Sequence, residues 1–131
     1  MDIKKLIDYA KQGSKNSYSP YSNFAVGASL LCKDGTYYKG CNVENASYGL
    51  TNCAERTAMF AALAQGYKKE DFRELAIFSS CNPPASPCGA CRQVMVELMA
   101  KDGKVYIGND HEISETDVSS LMPFAFDKES L

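Results

Sequence analysis

A mixed β-sheet flanked by helices, an α/β fold, is what three features of this 131-residue chain predict. Apolar residues recur at helical spacing in several segments. Short runs of aliphatic and aromatic residues bounded by turn residues separate those segments. After an initial helix and hairpin, the two kinds of segment alternate, which implies sheet and helices packed in layers. With 45% apolar and 23% charged residues and no linker or repeat, one domain spanning 1–131 is expected. A chain of this size can bury roughly two thirds of its unfolded surface.

The elements follow in order. Ile3, Leu6, Ile7 and Ala10 make an amphipathic first helix, ended between Gly13 and Pro20. Phe24 to Cys32 and Thr36 to Asn42 flank Lys33-Asp34-Gly35 and predict a β-hairpin closed at Asp-Gly. Cys53 to Gln65 is an alanine-rich, buried helix stopped by Gly66. Leu75 to Ser79 is a short apolar run suited to a central strand, and the Pro83-Pro84 loop leads from it to a helix running to Ala100. Lys104 to Ile107 is a further strand, and Ser114 to Met122 a short helix capped by Ser114.

The net charge of −2 and the mixing of signs, as in Lys68-Lys69-Glu70-Asp71, exclude a phosphate-tracking basic stripe, so long nucleic acid is not an expected partner. Met1-Asp2-Ile3-Lys4-Lys5 lacks the apolar core of a secretion signal, and no run approaches the about 18 residues of a membrane span. A cytoplasmic protein is expected. In that compartment six cysteines, some clustered as Cys-x-x-Cys, read as metal-binding rather than as disulfides.

Two stretches carry the chemistry: Cys53-Ala54-Glu55-Arg56 and Pro87-Cys88-Gly89-Ala90-Cys91-Arg92-Gln93. Each opens a helix, where the dipole favours a thiolate. Cys88 and Cys91 share one face of a first turn. Cys53 and Glu55 are two apart, so Cys53 has to stand at the very start of its helix for both to reach one ion. Three thiolates suit zinc and leave its fourth tetrahedral position open, the mark of a catalytic site, with Glu55 at hand to move protons. Cys81 or His111 as a fourth ligand would close the site; otherwise Cys32, Cys41 and Cys81 read as small buried residues. Zinc with three thiolates carries a net −1. Arg56, three residues from Cys53, returns to its face and can offset that charge by donating to the sulfurs.

Cys-x-Glu followed by Pro-Cys-x-x-Cys resembles the three-cysteine signature of the zinc nucleobase deaminases, in which the glutamate is not a ligand. Asn23-Phe24-Ala25-Val26-Gly27-Ala28 and Asn42-Val43-Glu44-Asn45-Ala46 resemble the substrate-binding segments of small homotetrameric cytidine deaminases. The likeness runs from about Tyr18 to Gln93. It implies a five-stranded three-layer α/β/α fold and one zinc per subunit on Cys53, Cys88 and Cys91. It implies Glu55 as the proton shuttle in hydrolysis of cytidine and 2′-deoxycytidine to the uridines and ammonia, a salvage reaction. It further implies Phe24 against the pyrimidine, Asn42 and Glu44 on the ribose, backbone contacts to the base from Ala54 and Cys88, and Phe126 entering a neighbour's site in a homotetramer. Phe124 and Phe126 alternatively dock on their own subunit. Two competing functions are a deaminase of another base-containing compound, such as an aminoacyl-nucleoside, and a non-catalytic zinc module with four protein ligands. Asn42 and Glu44 favour the nucleoside.

Overall fold

In a computed structural model that describes residues 2–131, the first apolar stripe forms helix α1 (Ile3–Ser14). Asp2 starts it: its carboxylate accepts from the Lys4 backbone N–H at 3.0 Å. Met1, part of the stretch read for a secretion signal, lies outside the described residues. Leu6, Ile7 and Ala10 turn inward onto Leu31, Ala76 and Phe78. Among the described residues, no helix is long and apolar enough to cross a membrane.

The hairpin forms as β1 (Val26–Cys32) and β2 (Tyr37–Cys41), with Leu31 opposite Tyr37. Its turn needs Gly35, whose φ of +88° lies in the left-handed region. Then come α2 (Ala54–Ala64), β3 (Phe72–Ser79), α3 (Gly89–Leu98), β4 (Lys104–Gly108), β5 (Ile113–Asp117) and α4 (Val118–Leu121). The strands order as β2-β1-β3-β4-β5, with β3 and β4 parallel and every other pair antiparallel. Helix α1 covers one face. Helices α2 and α3 cover the other, where Ala58, Met59, Cys91 and Met95 pack on Leu30, Leu75 and Ile77. This is the three-layer, five-stranded arrangement that the resemblance implies.

The carboxyl-terminal stretch differs from its reading. Ile113 to Asp117 is an edge strand rather than the start of a helix, and the short helix begins at Val118, capped by Asp117, which accepts from the Ser120 N–H at 2.8 Å. Ser114, Glu115 and Thr116 carry no apolar alternation. Their backbone pairing with β4 decides the conformation instead.

Strand directions place the site. Strand β1 is antiparallel to both neighbours, so β2 and β3 run the same way. The helices that follow them, α2 and α3, therefore begin at one and the same edge of the sheet, outside the carboxyl ends of the strands. Gly40 brings α2 close: a Cβ there would stand 2.3 Å from the Ala54 carbonyl oxygen and 2.6 Å from the Ala58 nitrogen.

Candidate metal centre

Cys53 and Cys88 occupy the N-cap positions of α2 and α3, both extended, with φ of −77° and −69°. Cys53 thus stands at the start of its helix, as its spacing from Glu55 requires. The Sγ atoms of Cys53, Cys88 and Cys91 lie within 4.8 Å of one another. Tetrahedral zinc with Zn–S bonds of ~2.3 Å sets its sulfurs ~3.8 Å apart. Cys53 and Cys88 are already at 3.7 Å, and the donor set fits zinc. Among the described residues, neither Cys81 nor His111 joins the cluster. The Cys81 segment is tied elsewhere, its carbonyl accepting from Asn109 Nδ2 at 2.8 Å. Of the other cysteines, Cys32 is buried, whereas Cys41 and Cys81 are half-buried.

The charges around the sulfurs are arranged unequally. The Cys91 thiol and the Arg56 guanidinium both donate toward Cys53 and draw its pKa down to about 5, against the cost of burial. Cys91, fully buried and donating to Cys53, is pushed up. Arg56 Nη2 donates to Cys53 Sγ at 3.4 Å, which sets the guanidinium's charge beside the sulfurs, while its buried Nε has no acceptor among the described residues. Glu55 is 4% exposed, and burial raises its carboxyl above the usual range. A buried carboxyl with raised proton affinity beside a metal donor set is equipped for acid and base work.

The remaining predicted residues divide. Ala54 is fully buried in the first turn of α2. Phe24 precedes β1 and is half-buried; Ser22 Oγ accepts from its N–H at 3.0 Å, and Asn42 Nδ2 donates to its carbonyl at 2.7 Å. Asn42 is buried and also accepts from the Val26 N–H at 3.0 Å and from Ser17 Oγ. It staples the Phe24 segment to the end of β2. Glu44 accepts from the Tyr21 and Ser22 N–H groups at 2.9 and 3.1 Å and from Ser22 Oγ, which holds its carboxyl below the usual range. It also lines a hollow of about 430 Å³ with Tyr21, Asn45, Tyr48 and Thr51. Val43 exchanges backbone hydrogen bonds with Asn52, both 2.9 Å, so Asn42 and Glu44 are carried on backbone tied to the residue before Cys53. Phe126 is largely exposed, as is Phe124, and the carbonyl of Phe126 accepts from Gln93 Nε2 at 2.7 Å.

Several residues of the site had been given no role. Ser17 and Ser22 pair with Asn42 and Glu44, and Thr57 donates to the Cys53 carbonyl at 3.1 Å. Arg92, inside the second motif, bonds Pro87, Ser86 and Leu121. Adjacency to Cys91 was the signal available for Arg92; the serines and Thr57 offered none beyond ordinary loop and helix polarity.

Two helix starts that deliver three thiols and a buried carboxyl to one edge of a mixed sheet define a zinc enzyme of the α/β class. The chain belongs to the cytidine and deoxycytidylate deaminase family, whose zinc-binding region matches residues 1–109. It is 49% identical to a cytidine deaminase of Sporosarcina psychrophila over all of this chain and 96% of that protein, and 52% identical to one of Halalkalibacterium halodurans over all of this chain and 98% of that protein. The crystal structure of cytidine deaminase from Burkholderia pseudomallei superposes with a TM-score of 0.94 at 49% identity, covering 96% of this chain and all of that one. That from Mycobacterium tuberculosis gives 0.81 at 38%, covering 97% and 98%.

Proposed function

We propose that this chain hydrolyses the exocyclic amine of cytidine and 2′-deoxycytidine, giving uridine and 2′-deoxyuridine with release of ammonia. The observation that carries the reading is the convergence of the Cys53, Cys88 and Cys91 sulfurs within 4.8 Å at the helix turn that also holds buried Glu55. Relatives similar over the full chain support the substrate.

Cys53, Cys88 and Cys91 hold zinc, which supplies Lewis acidity that makes water a nucleophile near neutral pH. Glu55 takes a proton from the attacking water as its oxygen adds to C4 of the pyrimidine, and delivers that proton to N3. It then assists proton transfer to the amine, the C4–N4 bond breaks and ammonia leaves. One carboxyl serves both ways because burial raises its proton affinity. Arg56 holds the charge of the sulfur cluster down. Phe24 flanks the pyrimidine, the Ala54 and Cys88 backbones meet its polar edge, and Asn42 and Glu44 face the ribose, their side chains set by Ser17 and Ser22.

The same reading makes the protein a cytoplasmic salvage enzyme acting on free nucleosides and assembled as a homotetramer, with Phe126 reaching a neighbouring site. Exposed Tyr48 and Leu50, at 76% and 69%, support the assembly. Incubating zinc-loaded protein with cytidine while following ultraviolet absorbance and ammonia tests the reaction. Equimolar uridine and ammonia are expected; unchanged cytidine overturns it.

A further inference from the structure

We propose that Arg92 is a positioning residue that couples the loop carrying Cys88 to the carboxyl-terminal segment, so that metal affinity and the seating of residues 122–131 depend on one guanidinium. The inference rests on the assignment of the three cysteines as zinc ligands.

Arg92 follows Cys91 on the first turn of α3, and all three of its side-chain nitrogens are engaged. Nε donates to the Pro87 carbonyl at 2.8 Å, Nη2 to Ser86 Oγ at 2.7 Å and Nη1 to the Leu121 carbonyl at 2.9 Å. Pro87 immediately precedes Cys88, so the guanidinium holds the loop just ahead of that ligand, while the Arg92 backbone N–H gives the Cys88 carbonyl the first bond of α3 at 3.0 Å. Leu121 ends α4, and its carbonyl is one of those a helix leaves without an intrahelical partner. The segment beyond it is held again at the next position on α3, where Gln93 Nε2 meets the Phe126 carbonyl at 2.7 Å. Two consecutive residues beside a metal ligand thus hold the chain at 121 and at 126.

The geometry is specific to arginine. Three acceptors on two separate segments are met by a planar fork whose nitrogens point apart; a lysine has one nitrogen and cannot span them. Groups that orient metal ligands from behind typically carry about 10–100-fold in metal affinity. Coupling is reciprocal: whatever order in 122–131 steadies the Cys88 loop, metal at that loop returns to 122–131.

Cobalt(II) is the probe, because its absorption reports the number and placement of thiolates. Arg92→Lys should bind cobalt roughly tenfold more weakly, show displaced absorption bands at saturation, and exchange amide hydrogens faster across 122–131. Gln93→Leu should speed exchange around Phe126 and leave the bands in place. In the unsubstituted protein, stripping the cobalt should itself speed exchange in 122–131. Wild-type affinity and bands in Arg92→Lys, or weaker binding with unaltered tail exchange, would overturn the coupling. So would a tail whose exchange is indifferent to cobalt in the unsubstituted protein, which keeps the test decisive should Arg92→Lys not fold. Failure of the unsubstituted protein to bind cobalt through its thiolates would instead overturn the metal assignment on which the coupling rests.

Discussion

At Glu55, shape and proton chemistry can be separated. Replacing Glu55 with Gln preserves size and a buried polar group but removes the transferable proton, so zinc content should be retained while deamination falls by at least about 10²–10⁴-fold. Near-normal turnover by zinc-replete Glu55→Gln would remove the carboxyl from the reaction. Arg56 invites the complementary test. Its Nη2 lies 3.4 Å from Cys53 Sγ and helps hold that sulfur's pKa near 5. A thiol whose pKa is depressed in the folded state keeps its thiolate down to acid pH and loses it as pH falls through the depressed value. Taking away the guanidinium moves that loss to higher pH. Arg56→Gln should therefore bind zinc at neutral pH, release it at a higher pH on acidification, and shift the acid limb of kcat/KM upward. An unshifted profile in a folded, zinc-replete variant would leave Arg56 a packing residue. The resemblance marked Phe24, Asn42 and Glu44, and the three-thiol cluster was legible because the spacing of its cysteines is tied to helical geometry. Ser17, Ser22 and Arg92 were not, because each acts on groups far away in the chain: Asn42, Glu44 and the Leu121 carbonyl.

Among elements, α2 depends on the strand beneath it. Its first turn, carrying Ala54 and Glu55, rests on Gly40 with no room for a methyl group. Gly40→Ala should lower stability by about 1–3 kcal/mol, the usual cost of overpacking, measured by urea unfolding. Because the same shift displaces Cys53, zinc affinity should weaken in parallel, and full affinity with lowered stability would show that the shift is absorbed without reaching Cys53. Zinc held by Cys53, Cys88 and Cys91 would join α2 to α3, helices whose starts are remote in sequence, so verified removal of the metal should lower Tm. An unchanged Tm would mean that the core alone holds the two starts together. Strand β3 was legible from its apolar run, although it begins earlier, at Phe72. Strand β5 was not: at a solvated sheet edge its side chains need no pattern, and pairing with Val105 and Ile107 decides its conformation.

For the whole molecule, exposed aromatic and aliphatic residues cluster before α2 and in the tail. A lone chain leaves Tyr48, Leu50 and Phe126 in water, and the proposed homotetramer would cover them. Deleting the chain from Pro123 should raise KM, with or without dissociation of a tetramer in light scattering. A fully active monomer would rule out shared sites. The layer order was legible from alternation of helix and strand patterns. The meeting of the two helix starts was implied by one zinc on Cys53, Cys88 and Cys91, but the edge of the sheet at which they meet was not legible, because it follows from strand directions that only the pairing of β1 with both β2 and β3 establishes.

That pairing has a practical side. Since β1 runs opposite to β2 and β3, the turn at Lys33-Asp34-Gly35 emerges at the edge facing away from the cysteines, separated from them by the roughly 17 Å length of a five-residue strand. Gly35 has to keep its left-handed backbone, but the side chain of Lys33 in the same turn is exposed to solvent. The molecule therefore carries a handle remote from its chemistry, where a fluorophore, a surface tether or an inserted recognition peptide can be attached while the opposite rim keeps its nucleoside pocket open.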